Sequence, residues 1–448
     1  MTVSLAGIRD ALEGGAPAVI ATCAADGTPN VSYLSDVQYV DERHVALSWQ
    51  FFSKTRANVI ENPFARLLVI HASSAGRTRL LVQYLRTETE GPLFERMRAR
   101  LAGIASHQGM ADVFRLRGAD VYRVLGLEAV PGPVVPQPPS PGVAAPLRAV
   151  VGRLARAREL DELIDDALDA LVREFGIPNA MLLMRDAAAR RLCTVASRGY
   201  PVSGVGAEVA EGDGVIGVAA AVGVPIRVNH ALAGHAYARV VREQAAQAGL
   251  DDRAAEAIPL PGLPAPGSQM AVPVGDGGRV IGVLYVEHPE AQRFGHELED
   301  ALATLADAFG LAMRRWDEAA LAEQPAAERT PPPPPPPPQG AGVQVRLHAR
   351  HCAVFIDDEY VIRGVAGAIL WKLLREHAER GRSEFTSREL RADGSLNLPE
   401  IGDNLAARLI LLQRRLDERD FGVRLRKRGR GRFGLEVSRP LIFREARG

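Results

Sequence analysis

Over roughly the first 130 positions, apolar residues recur in short runs with the two-residue period of strands. Runs at 17–25, 31–39, 44–49, 65–71 and 119–129 read as strands, and Asp26-Gly27 marks a turn after the first. Helices are predicted at 3–13, 55–61 and 92–106, so this stretch reads as a small β-barrel. The pattern changes from 147 to 320. Leu160, Leu163, Ile164, Ala167, Leu168, Leu171 and Val172 share one helical face, and strand-like runs follow at 180–184, 192–197, 224–229, 270–274 and 280–287. A last helix carries Leu298, Leu302, Leu305, Phe309, Ala312 and Trp316 at the spacing of a coiled-coil seam, which predicts pairing of two subunits.

A third pattern fills 343–448. Short strands over 343–361 lead into a helix with Val365, Ile369, Leu370, Leu373 and Leu374 on one face. Thr386 and Glu389 have the spacing at which each side chain satisfies an open amide of a first helical turn, so a helix starts there. In the next helix Leu405, Leu409, Leu412 and Leu416 form a buried stripe, while Arg408, Arg414 and Arg415 project from other faces. Residues 423–437 alternate as a hairpin, with Gly429 and Gly431 near its turn and Arg426, Lys427, Arg428, Arg430 and Arg432 crowding its tip. An arginine-bearing helix beside a basic hairpin suits a nucleic-acid duplex, the helix entering the major groove and the hairpin gripping phosphates.

Two proline-rich stretches separate these patterns. Residues 131–146 read as an extended linker that keeps two folded units apart, and 321–342 contains an unbroken proline run, 331–338, which forms a stiff extended spacer. The chain of 448 residues is long enough for three domains, at 1–130, 147–320 and 343–448. Its zero net charge hides an asymmetry: residues 343–448 carry 22 Lys and Arg against 15 Asp and Glu, or +7, which leaves the remainder at −7. That distribution fits a nucleic-acid-binding tail on an acidic sensor. No run reaches the length of a membrane span and no signal pattern opens the chain, so a cytoplasmic location is expected. Cys23, Cys193 and Cys352 are isolated in sequence and read as buried thiols rather than disulfide partners.

Within the first stretch the informative segment is Ser48-Trp-Gln-Phe-Phe-Ser-Lys-Thr-Arg-Ala-Asn58. Ser53, Lys54 and Thr55 stand at the mouth of a short helix, where free amides, an ammonium and hydroxyls together make a phosphate site. With Asp26-Gly-Thr-Pro-Asn30, this segment resembles the pyridoxamine-phosphate-oxidase-like split barrel that binds flavin mononucleotide (FMN). The resemblance implies that Ser48, Gln50, Ser53, Lys54 and Thr55 hold the phosphate and ribityl chain. It also implies a homodimer with flavin between the subunits. Glu88 and Glu90 lie near the flavin region without an assignable catalytic role, and His71 and His107 are the residues that would ligate haem if a barrel of this type bound it.

The order of elements over 147–320 resembles a GAF domain, a six-stranded antiparallel sheet with helices on its faces that senses a small ligand. Its glycines at 211–217 lack the spacing of a dinucleotide loop, and the ligand, placed between the sheet and residues 230–260, stays unidentified. Leu412-Gln-Arg-Arg-Leu416 and Arg428-Gly-Arg-Gly-Arg-Phe433 resemble the recognition-helix end and wing of the winged-helix output domains of bacterial response regulators. One departure stands out: Ile410 and Leu411 occupy positions where a reading helix more often shows polar groups, and they suit a protein partner equally well.

The expected architecture is therefore a multidomain α+β chain: a split β-barrel, a GAF α/β sandwich with an antiparallel sheet, and a C-terminal winged helix. The expected function is a dimeric DNA-binding regulator whose first two domains bind flavin and a small molecule. Two alternatives remain open: an FMN-dependent oxidoreductase with a regulatory GAF domain, and an interaction scaffold that docks through Ile410 and Leu411.

Overall fold

The computed structural model describes residues 4–13, 18–34, 36–49, 54–72, 74–107, 116–134, 142–157, 159–229, 258–322, 342–348, 351–396, 405–429 and 431–445. The first domain is one antiparallel sheet of seven strands, β1 (Ala18–Cys23), β2 (Pro29–Leu34), β3 (Val37–Asp41), β4 (His44–Trp49), β5 (Phe64–Ile70), β6 (Arg77–Glu88) and β7 (Gly118–Val130). The strand order is β2-β1-β5-β6-β7-β4-β3. Helices α1 (Arg9–Glu13), α2 (Lys54–Glu61) and α3 (Pro92–His107) complete it, and Ile20, Val45, Leu67, Val69, Leu80 and Val82 form its core.

Two details depart from the sequence reading. The run 31–39 is two strands, β2 and β3, at opposite edges of the sheet. Burial explains the break: β2 alternates half-buried and exposed residues, whereas Asp36, Val37 and Gln38 are buried together, the Asp36 carboxylate beside the Arg100 guanidinium at 3.5 Å. The run 77–88 is a further strand, β6: Thr78, Leu80 and Val82 are buried with Arg77, Arg79 and Leu81 alternating between them on the other face, the two-residue period of a strand.

The second domain is a six-stranded antiparallel sheet of β8 (Asn179–Asp186), β9 (Arg191–Arg198), β10 (Glu208–Ala210), β11 (Ile226–Val228), β12 (Ser268–Gly275) and β13 (Val280–His288). Their order is β10-β9-β8-β13-β12-β11. Alternation along β8 sorts the two faces. Ala180, Leu182 and Met184 pack with helices α4 (Ala144–Leu154), α5 (Leu160–Arg173) and, further along the chain, α7 (His296–Ala322), while Met181 and Leu183 pack with α6 (Gly214–Val222). Gly310 lets α7 lie against the sheet, since a Cβ there would collide with the carbonyl oxygen of Gly275.

The segment 131–146 was expected to hold two units apart, yet α4 starts at Ala144 and the barrel docks directly on the second domain. Ala99 of α3 joins the core around α6, and a Cβ on Gly103 would run into Ile226. Asp10 and Glu13 of α1 reach Arg227 of β11 at 3.2 and 3.5 Å. The expected coiled-coil seam is spent within the chain, because Leu298, Leu302, Leu305 and Phe309 are buried in the domain's own core.

The last domain has two small sheets. Strands β14 (Val343–His348), β15 (Ala353–Ile356), β16 (Glu359–Ile362) and β20 (Leu441–Glu445) form the first, with β20 parallel to β14. Helix α8 (Gly364–Arg380) follows, then β17 (Glu384–Thr386), α9 (Ser387–Ala392), α10 (Leu405–Asp417) and the hairpin β18 (Val423–Gly429) and β19 (Arg432–Val437), which pairs with β17. Thr386 and Glu389 cap α9 reciprocally, as their spacing predicts. One continuous apolar cluster runs from Val150 through the second domain into Leu412, Leu416 and Leu435 of the third. The polyproline run lies outside the described residues.

Candidate functional site

The polar segment of the barrel resolves into a buried hydroxyl cluster with a cation at its rim. Asn30 Nδ2 donates to Thr55 Oγ1 at 2.9 Å, Ser32 Oγ and Thr55 Oγ1 are 2.7 Å apart, and Asn58 Nδ2 donates to Thr22 Oγ1 at 3.1 Å. Thr55 is 8% exposed, and its hydroxyl ties α2 to β2. Lys54 is exposed at the first position of α2. The nearby Asp26 carboxyl is held below the usual range by the Thr28 backbone amide, with the Lys54 ammonium contributing. Ser48 sits in β4 opposite Ala119; Gln50 and Ser53 lie outside the described residues.

Beside this cluster stands a group that the sequence reading passed over. Arg56 Nη1 reaches Asp120 Oδ1 at 2.5 Å and Thr87 Oγ1 at 3.1 Å, and its guanidinium lies 3.9 Å over the Trp49 ring. The signal was present, since Arg56 follows Lys54 by two positions, but only the fold brings Asp120 to it. Glu88 pairs with Arg86 at 2.6 Å and Glu90 is exposed. His71 Nδ1 accepts from the Ser74 amide in a turn; the His107 side chain lies outside the described residues. Among the described residues no group of three or more His, Cys, Asp or Glu side chains could hold a metal ion, and no helix is long and apolar enough to cross a membrane.

In the second domain a buried carboxylate collects donors from four directions. Glu287, 2% exposed, accepts from Gln269 Nε2 at 2.9 Å, Tyr285 Oη at 2.8 Å, Tyr200 Oη at 3.1 Å and the Leu263 amide at 2.9 Å. Burial, with Glu287 adding to it, pushes both phenols well above their usual range. Residues 230–257, which were to cover a ligand, lie outside the described residues. The three cysteines are half-buried free thiols rather than fully buried ones, and burial, reinforced by Glu208 and Asp186, pushes the Cys193 thiol up to about 12.

The eight basic residues expected to meet DNA fall into three groups. Arg415 is 7% exposed and donates to the carbonyls of Val361 and Tyr360 at 3.1 Å each. It braces α10 against β16. Arg408, Arg414 and Lys427 turn toward the second domain: Arg408 Nη1 lies 3.5 Å from Asp186, Arg414 Nη2 3.1 Å from Asp165, and Lys427 pairs with Glu159. The hairpin supplies the third group. Arg426 pairs with Asp417 at 3.2 Å and Arg428 with Glu436 at 2.8 Å, Arg432 is exposed, and Arg430 lies outside the described residues. Arg424, exposed on β18, lies outside the expected set; strand alternation places it on the same side as Arg426, and it lines a cleft with Arg428 beyond the bulge.

Comparison with known proteins agrees with the first two domains. A family model described as pyridoxamine 5'-phosphate oxidase matches residues 6–124, and a GAF-domain model matches residues 157–314. No curated protein matches the chain. Among solved structures, an FMN-binding protein from Syntrophomonas wolfei subsp. wolfei is 18% identical over 29% of this chain and 86% of its own, with a TM-score of 0.25. The GAF domain of an Acinetobacter phosphoenolpyruvate-protein phosphotransferase is 19% identical over 41% and 96%, with a TM-score of 0.31. A free methionine-R-sulfoxide reductase from Neisseria meningitidis is 18% identical over 40% and 91%, with a TM-score of 0.29. The chain therefore joins a pyridoxamine 5'-phosphate oxidase-like N-terminal domain to a GAF domain.

Proposed function

We propose that this chain is a sensory regulator in which the oxidase-like barrel and the GAF domain govern a C-terminal winged-helix DNA-binding domain. The observation that carries the reading is the arrangement of the last domain: α8, capped α9 and α10 are followed by a basic hairpin whose β19 pairs back to β17. Arg424, Arg426 and Arg428 line the hairpin where phosphates would approach. In the barrel, the exposed Lys54 at the start of α2 fits a flavin phosphate, with Thr55 shaping the floor through Asn30 and Ser32. Bound flavin would supply a redox-sensitive ring as the sensed signal. A small ligand of the GAF domain and a homodimer belong to the same reading.

The test is retention of the full-length protein on duplex DNA as salt is raised. Salt-sensitive retention that weakens on replacing Arg424 and Arg428 by alanine, with a shallower salt dependence, is the expected result. Retention indifferent to both salt and those substitutions overturns the proposal.

A further inference from the structure

The helix that would read DNA does not face solvent. Ile410 and Leu411 of α10 are 8% and 3% exposed. Ile410 shares a small apolar cavity with Leu160 and Trp316 of the GAF domain, and Leu411 lines another with Cys193 and Val195 of β9. Around these apolar contacts, four cations of the last domain each meet a GAF carboxylate: Arg408 with Asp186, Arg414 with Asp165, Lys427 with Glu159 and Arg363 with Glu208. Ser203 of the GAF domain adds a hydrogen bond to Glu418, just past α10.

We propose that this interface is an autoinhibitory contact, in which GAF carboxylates occupy the cations that DNA phosphates would neutralise and so hold α10 away from a duplex. The inference rests on the DNA-binding reading and adds the state in which that activity is closed. Charge complementarity makes the two partners exclusive, because Arg408, Arg414 and Lys427 cannot pair with GAF carboxylates and phosphates at once. Ile410 and Leu411 acquire a role here: they are the apolar centre of an intramolecular docking face, ringed by ion pairs.

Asp165 also gives the GAF domain a handle on the contact. Its Oδ1 accepts from Arg414 at 3.1 Å and from Arg198 of β9 at 2.7 Å, so the guanidinium of a sheet residue and that of α10 share one oxygen. A shift of β9 that draws Asp165 toward Arg198 weakens the hold on Arg414, and one that frees Asp165 strengthens it.

The test uses the full chain with Glu159→Gln, and a second variant carrying Asp165→Asn, because neither carboxylate acts on the Cys193 thiol itself. Two readouts are taken at fixed salt: the rate at which a thiol reagent labels Cys193, which lies in the interface, and affinity for a duplex of arbitrary sequence. A rise of about tenfold or more in both supports the contact as inhibitory. Faster labelling with unchanged duplex affinity overturns the inhibition while leaving salt-dependent hairpin binding, and the regulator reading, standing. Unchanged labelling in both variants shows that the carboxylates do not hold the interface, and overturns it as well. Loss of duplex retention at low salt in wild type and variants alike removes the DNA-binding reading, and this inference with it.

Discussion

Glu208 of the GAF domain grips Arg363 of the last domain as a fork, with Arg363 Nε donating to both carboxylate oxygens at 2.9 and 3.0 Å and Nη2 to Oε2 at 2.5 Å. The Glu208 hydrogen bond raises the Arg363 guanidinium above its usual value, and burial opposes that rise. A lysine cannot reproduce the fork. Arg363→Lys should therefore weaken coupling between the two domains by about 1–2 kcal/mol while keeping the charge. Calorimetry would show a single unfolding transition of the two domains broadening or splitting; an unchanged profile would mean that the apolar contacts alone couple them.

The cap on α9 makes a second, local prediction. Thr386 Oγ1 accepts from the Glu389 amide at 3.2 Å and Glu389 Oε2 accepts from the Thr386 amide at 3.0 Å, and that same oxygen pairs with Arg382 at 2.5 Å. Thr386→Ala should cost about 1 kcal/mol, and pairing it with Glu389→Ala should cost less than the two single losses added together. Thermal denaturation of the four proteins in the cycle checks this.

What the sequence disclosed and what it hid divide along a physical line. The Thr386 cap, the Leu405–Leu416 stripe and five of the six strands of the GAF sheet were legible because each depends on neighbours a few residues away; the three-residue β10 (Glu208–Ala210) is too short to show a period. The fate of Arg415 was not, since its partners Tyr360 and Val361 lie more than fifty positions upstream. Nor were the interdomain pairs: Asp10 and Arg227, or Asp165 and Arg414, meet only after separate sheets have formed. Periodicity identifies which face is apolar without saying what covers it. The seam of α7 therefore read as a dimer contact although it closes its own domain, and Ile410 and Leu411 stood out as an anomaly before the GAF surface supplied their partner.

Lys54 offers the simplest check on the barrel. Because it is exposed at the start of α2, its replacement by alanine should leave the fold intact within about 0.5 kcal/mol. Under the proposed reading, flavin absorbance per mole of purified protein should fall several-fold. Thr55→Val should instead lower stability by about 1 kcal/mol, because it removes the closest partner of the Asn30 amide and the Ser32 hydroxyl and leaves them longer contacts at 3.4 Å. If the two substitutions acted alike on stability, the division of roles between these adjacent residues would be wrong.

Glu287 predicts a larger loss. It is the shared acceptor for Tyr200, Tyr285, Gln269 and the Leu263 amide, so Glu287→Ala leaves four donors without it in a buried site. A cost of about 3 kcal/mol or more is expected, and Glu287→Gln should recover part of it by restoring one acceptor oxygen. Urea denaturation compares the three proteins. A stable Glu287→Ala variant would show that the donors find water or other partners.

The barrel–GAF junction should respond to pH through one pair. His296 Nδ1 lies 3.0 Å from Asp10 Oδ2, and the His296 amide donates to Asp10 Oδ1 at 2.8 Å. The Asp10 carboxylate at this distance raises the imidazole above its ordinary 6.5, against burial and the neighbouring Arg9 and Arg227. Asp10 is held well below its ordinary 3.8: burial pushes it up, but His296 and Arg227 outweigh that. The signs follow by linkage. Stabilisation from His296 is fully present below pH 6.5 and is lost as pH rises through its raised folded value. That from Asp10 is present above pH 3.8 and is lost as pH falls toward its depressed folded value. The junction is therefore tightest between these limits and loosens on the alkaline side, while the Arg227 contacts with Glu13 and Glu299 persist. Hydrogen exchange at α1 should speed up as pH passes above 6.5, after correction for intrinsic rates, and His296→Asn should abolish that dependence; a variant that keeps it would place the titrating group elsewhere.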